Sequence, residues 1–201
     1  MRFLAPLTLA AMLAIALPAH ASREYHLPTL FDVVEVAPDD VLNIRQRPYG
    51  SSPIIGSLAP DAGNIEVVEE RRGWGRINMG EVSGWVSMRY LTYHVDVWES
   101  GQLPEHFRCL GTEPFWNIAV RGDELEFSTP EQTESQPLRA VLDTGIFRFP
   151  SRVVLGESLT LVATPNQCSD GMSDRQYGLD ATLIRDGEQP EMLRGCCLIQ
   201  P

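Results

Sequence analysis

Four cysteines, Cys109, Cys168, Cys196 and Cys197, stand in the second half of a 201-residue chain. Their chemistry has four outlets: structural disulfides, redox exchange, metal binding and nucleophilic catalysis. Zinc asks for Cys-x2–4-Cys or the equivalent His spacing, which this sequence lacks. Copper(I) favours Cys with Met, and Met172 and Met192 lie in the right half, but single methionines on strands commonly fill core space. A cysteine nucleophile needs a base. His106 precedes Cys109 by three residues, but with His94 it falls in a polar connection. No metal and no cofactor are expected, and disulfides are the leading reading. The remaining candidates for chemistry are Glu113, Asp170 and Asp174, with Trp116 among them. Two carboxylates across a cleft can cleave a glycosidic bond, whereas Ser169-Asp170-Gly171 is also an ordinary Asx turn. A small barrel could enclose an apolar ligand, but such barrels usually fill with their own side chains. The nucleophile-elbow, zincin, phosphate-loop and dinucleotide motifs are absent from the sequence.

The elements that must position these residues read as short strands. Apolar runs alternate with Gly, Pro, Asp and Asn, and no long helical period occurs. The patterns predict strands at Val33–Val36, Val41–Ile44, Ile54–Leu58, Ile65–Glu69, Gly73–Asn78 and Gly84–Val86, closed by Arg89-Tyr90-Leu91. After an acidic stretch, Val95 to Glu105, they predict Phe115–Arg121, Glu124–Ser128, Leu138–Leu142, Ile146–Phe149, Ser158–Thr164, Tyr177–Ile184 and Met192–Ile199. The fold class is all-β: two small antiparallel barrels, over 32–93 and 107–201, joined by a linker at 94–106. In the last strand Leu193, Gly195, Cys197 and Ile199 share the more apolar face, so Cys197 points inward. Cys109 shares parity with apolar Phe107, and first and last strands of a barrel often meet. Parity thus favours Cys109–Cys197 and leaves Cys168 for Cys196, while a vicinal Cys196–Cys197 bond would close almost no loop.

The N-terminus sets the compartment. Arg2, an uncharged stretch from Phe3 to Leu17, and Ala19-His20-Ala21 make a secretory signal peptide over residues 1–21, cleaved after Ala21. The apolar stretch is too short for a spanning helix, so no membrane span is expected. Export suits disulfides. The net charge of −11 argues against nucleic acid and anionic membrane surfaces as partners.

The half from 32 to 93 resembles a bacterial SH3 (SH3b) domain. Carrying segments are Val41-Leu42-Asn43-Ile44-Arg45, Ile55-Gly56-Ser57-Leu58, Gly73-Trp74-Gly75-Arg76-Ile77 and Gly84-Trp85-Val86-Ser87-Met88-Arg89-Tyr90-Leu91. The resemblance implies a peptide or cell-wall binding module with an aromatic groove. Its candidates are Trp74, Tyr49 and Tyr90 with Asn43 and Arg45 as polar partners, and Arg45 and Arg47 beside Pro48 could meet carboxylates. Trp85 fits a core position. From 106 to 201, the segments Gly111-Thr112-Glu113-Pro114-Phe115-Trp116, Cys168-Ser169-Asp170-Gly171-Met172-Ser173-Asp174 and Gly195-Cys196-Cys197 resemble a family of exported bacterial proteins of the META/HslJ barrel type. That likeness implies a fold and a compartment but no reaction. The sequence therefore predicts a non-catalytic periplasmic binding module whose partner is peptidoglycan or an envelope peptide. An envelope hydrolase or small-ligand barrel using Glu113, Trp116, Asp170 and Asp174 is the alternative.

Overall fold

Short β-branched and aromatic runs separated by turn residues can bury one face only by pairing into sheets. The computed structural model describes residues 25–200, and the expected signal peptide lies outside the described residues. The first half comprises β1 (Thr29–Val33), β2 (Leu42–Arg45), β3 (Ile54–Leu58), β4 (Ile65–Val67), β5 (Glu69–Arg71), β6 (Trp74–Met79), β7 (Val82–Ser87) and β8 (Leu91–Tyr93), with a 3-10 turn at Met88–Tyr90. These form two antiparallel sheets, in the orders β4-β1-β8 and β3-β2-β7-β6-β5. Phe31, Val33, Ile44, Val67, Ile77 and Val86 are among the side chains that fill the space between them.

The second half comprises β9 (Arg108–Thr112), β10 (Phe115–Arg121), β11 (Glu124–Ser128), β12 (Thr133–Pro137), β13 (Ala140–Leu142), β14 (Arg152–Leu155), β15 (Leu159–Cys168), β16 (Tyr177–Arg185) and β17 (Glu191–Leu198). All nine lie in one antiparallel sheet, ordered β12-β11-β10-β9-β17-β16-β15-β14-β13. Its two outermost strands, β12 and β13, are separated in sequence only by Leu138 and Arg139. The sheet must therefore curl until its edges approach. Gln136 of β12 ties its edge to the turn between β14 and β15, accepting from the Ser158 amide at 2.8 Å and donating to its hydroxyl at 3.1 Å. The interior is packed with Trp116, Ile118, Phe127, Leu161, Leu179 and Leu183, among others.

Several sequence expectations shift. The strand expected at Val33–Val36 runs over Thr29–Val33, and the chain turns at Glu35, whose φ is 58°. The boundary expected at 32 therefore falls inside β1. Ile146–Phe149 is a loop, not a strand, with Phe147 69 % exposed. Asp143 organises it: its carboxylate accepts the Ser100 hydroxyl and the amides of Gly101 and Gly145, which hold its carboxyl down at about 2. Such Asx bonding outcompetes a short apolar run. The expected Leu138–Leu142 strand breaks at Arg139, and the polar β12 and short β14 carry no expected counterpart.

The expected linker is also anchored. Trp98 is buried, its indole nitrogen donates to the Pro28 carbonyl at 2.7 Å, and its ring meets Phe107 edge-on. The Arg152 guanidinium lies 5.0 Å from that ring, buried, and donates to the carbonyls of Glu99, Gln102, Phe149 and Ser151. His94 is half-buried, not solvated, with Nε2 2.8 Å from the Asp32 carboxylate. Strand β1 belongs to both cores: Phe31 and Val33 pack in the first, Leu30 in the second. Removing the Trp98 ring should cost about 3–5 kcal/mol, the usual penalty for emptying a buried aromatic site. Urea denaturation of Trp98→Ala measures this, and Trp98→Phe should lose about 1–3 kcal/mol for leaving the buried Pro28 carbonyl unpaired.

Candidate functional site

In the five-stranded sheet, Ile44, Ile77 and Val86 point into the core. Alternation then sends Asn43, Arg45, Trp74, Arg76, Trp85 and Ser87 to the outer face. Pairing sets them side by side: Arg45 lies across from Trp85, Trp85 from Arg76, Trp74 from Ser87, and Arg71 from Trp74. A groove of about 530 Å³ opens on this face. Asn43, Arg45, Trp74 and Ser87 line it, Tyr90 enters from the 3-10 turn, and Glu35 and Asp40 come from the loop after β1. Trp74 and Tyr90 are half-buried, and the Arg89 guanidinium stands 5.6 Å from the Tyr90 ring. Arg45 is held in place by donating to the Ser52 carbonyl at 2.7 Å. Two aromatic walls with an amide, a cation and carboxylates suit an extended peptide.

Four of the five expected ligand residues thus converge, and Tyr49 does not. It is 44 % exposed and lines a second groove, of about 660 Å³, with Pro48, Trp85 and four arginines. Trp85 is buried as expected, only 4 % exposed, although alternation puts it on the outer face of this sheet. The guanidiniums of Arg71 and Arg76, 5.6 and 5.2 Å from its ring, cover it.

The second half presents a polar cleft of about 530 Å³ whose walls include Glu113, Asp170, Asp180 and Arg194. Asp170 is fully engaged. One oxygen accepts the amides of Met172 and Ser173 at 3.0 and 2.9 Å. The other accepts the hydroxyls of Ser173 and Tyr177 at 2.8 and 3.0 Å. Burial pushes its carboxyl up, but these bonds outweigh that and hold it below 3.8. Asp170 therefore builds the loop. Asp174 lies outside the cleft, bridged to Val82 of the first half, and its amide donates to the Glu81 carbonyl at 3.0 Å. Trp116 is a core residue stacked on Phe127, not a cleft wall. Its indole lies under the cleft floor, where a Cβ on Gly111 would come within 2.1 Å of Nε1. Of the expected set only Glu113 remains exposed at the rim, so the three carboxylates do not converge. Sequence reasoning passed over the Arg194–Asp180 pair, 2.9 Å apart, although the parity of β17 puts Arg194 outside.

Cys109 and Cys197 face each other across β9 and β17, bonded inside the core. Cys196 points the opposite way, into a small outer cluster with Tyr177 and Leu198, and bonds Cys168 beside the cleft. Among the described residues no three His, Cys, Asp or Glu side chains gather as a metal would require, and no helix is long and apolar enough to cross a membrane.

Residues 40–92 match the family model of the bacterial SH3 domain. No curated protein and no solved structure matches the chain. The match begins after β1 and stops at Thr92, so it covers none of the second half.

Proposed function

Starting from a chain whose first half contains a bacterial SH3 domain, we propose that this protein is an exported, periplasmic and non-catalytic binding module. Its ligand is peptidoglycan or an envelope peptide, held in the groove of Asn43, Arg45, Trp74 and Tyr90. The observation that carries the reading is the convergence of those four side chains on one open groove. Domains of this fold bind extended peptides on aromatic surfaces through low-entropy contacts. Two disulfides suit an oxidising compartment. The net charge of −11 disfavours a polyphosphate partner. The second half is docked against the first through Trp98 and β1. Co-sedimentation with purified sacculi tests this on the chain from Ser22 to Pro201. The protein should pellet, and Trp74→Ala should weaken binding about tenfold, as for an aromatic anchor. Equal pelleting of Trp74→Ala, or none by either protein, overturns the reading. Clearing of a sacculus overlay that Glu113→Gln abolishes would overturn its non-catalytic part.

A further inference from the structure

The chain is strongly acidic, yet four of its 16 arginines crowd one groove. Arg47, Arg71, Arg72 and Arg76 stand there around Trp85 and Tyr49. Among the described residues one carboxylate answers them: Glu69 pairs with Arg71 and, at 3.2 Å, with Arg76. Its neighbour Glu70 accepts the Tyr25 hydroxyl at 2.6 Å. Arg47 and Arg72 have no carboxylate partner among the described residues. With Glu69 as their counter-charge the four arginines keep a net positive charge around one ring, and a further anion there would be attracted.

The Arg72 backbone sharpens the point. Arg72-Gly73 is the two-residue turn joining β5 to β6, with both φ values positive, 52° and 79°. Asn-Gly is the low-cost pair for such a turn, and a long side chain in the left-handed region costs about 1 kcal/mol. The sequence accepts that cost and gains an exposed guanidinium.

The arginine groove adjoins the peptide groove on the same face of the sheet. Arg71 of the one lies across from Trp74 of the other, and Trp85 across from Arg45. The peptide groove also carries the exposed acids Glu35 and Asp40, from the loop after β1. The face therefore carries its exposed acids in one groove, with Arg45, and its arginine cluster in the other. A uniform polyanion would be repelled by the acids and a neutral chain would leave both groups unanswered.

We infer that this face selects an extended peptide with segregated charge, its carboxylates on Arg47, Arg71, Arg72 and Arg76 and its cationic end beside Glu35 and Asp40. The inference rests on the peptide-binding reading of the groove and adds the ligand's charge order to it. Calorimetric titration of the full chain tests it with three end-capped hexapeptides. One carries two lysines, two glycines and two glutamates in that order, one has serine at every charged position, and one has glutamate there. The segregated peptide should bind best. Arg47→Gln with Arg72→Asn should weaken it about fivefold, the scale of two exposed ion pairs, leave the serine peptide unchanged, and raise the melting temperature because asparagine fits the turn. Added salt should shrink the preference. Equal binding of the segregated and serine peptides overturns the inference while leaving the groove intact, since Trp74→Ala would still weaken both. Binding of the glutamate peptide as tightly as the segregated one overturns it in favour of a simple anion site. Failure of all three peptides overturns it too, whereas failure of the groove itself shows in the sacculus assay.

Discussion

Between pH 4.5 and about 7 the protein should lose about 3 kcal/mol of stability through Glu66 alone, and Glu66→Gln should remove that slope. Glu66 lies on β4, 1 % exposed, where the first half meets the chain end. One carboxylate oxygen accepts the amides of Ile199, at 3.2 Å, and Gln200, while the other has no partner. Burial pushes its carboxyl from the usual 4.5 up to about 7, against the pull of those amides and of Arg175 and Arg108. Below pH 4.5 the group is protonated in folded and unfolded chains alike. Above it the unfolded chain releases the proton and the folded chain keeps it, so folding becomes less favourable until the folded group also ionises near 7. Asp32 and Asp170, both lowered from 3.8, act in the opposite sense and only at more acid pH. Urea midpoints at pH 5 and pH 8 check this: the wild type should be weaker at pH 8, and Glu66→Gln nearly level. An identical drop in both proteins would place the titration elsewhere.

Losing the buried disulfide is the second large effect. Cys109–Cys197 closes a loop of 88 residues and Cys168–Cys196 one of 28. Chain entropy assigns about 4.6 kcal/mol to the first and about 3.6 kcal/mol to the second. Cys109→Ala with Cys197→Ala should therefore cost more than the other double substitution, and more still because it also removes packed sulfur from the core. Accessibility adds a kinetic difference. Both sulfurs of the first pair are fully buried, whereas Cys168 is half-exposed at the cleft. Mild thiol treatment of the native protein, followed by alkylation and mass spectrometry, should label Cys168 and Cys196 first. Simultaneous labelling of all four cysteines would show that the core pair gains no protection from the fold.

The all-β class, the strands around Trp74, Trp85 and Tyr177, and the inward parity of Cys197 are legible because period-two alternation records directly which face is buried. The placement of Trp85 is not. An indole on an outer face can be buried by arginine stems as well as by a core, and only cross-strand neighbours distinguish the two. Tyr49 separates from the groove for a similar reason: its loop position fixes no direction. Asp170 illustrates the limit for chemistry. Its segment fits either a catalytic carboxylate or a turn, and four short hydrogen bonds, none of them visible in composition, decide for the turn. Trp98 stands in an acidic, Pro- and Gly-containing stretch, so nothing local marks it as the pin between the halves. The partner that buries it, Pro28, is 70 residues away.

Cys196 and Cys197 are neighbours on one strand, and that adjacency makes oxidation an ambiguous recorder of correct folding. A slip of β17 by one residue would turn Cys196 inward and Cys197 outward, and two bridges could still close with their partners exchanged. Such an isomer would show no free thiol and the native mass. What opposes it is the rest of the strand, since the slip would expose Leu193 and Ile199 and drive Arg194 into the barrel. The apolar pattern must select the register before the sulfurs fix it, so the chain needs reversible exchange while it matures. A glutathione-buffered refolding, which lets mismatched bridges reopen, should recover more native protein than air oxidation.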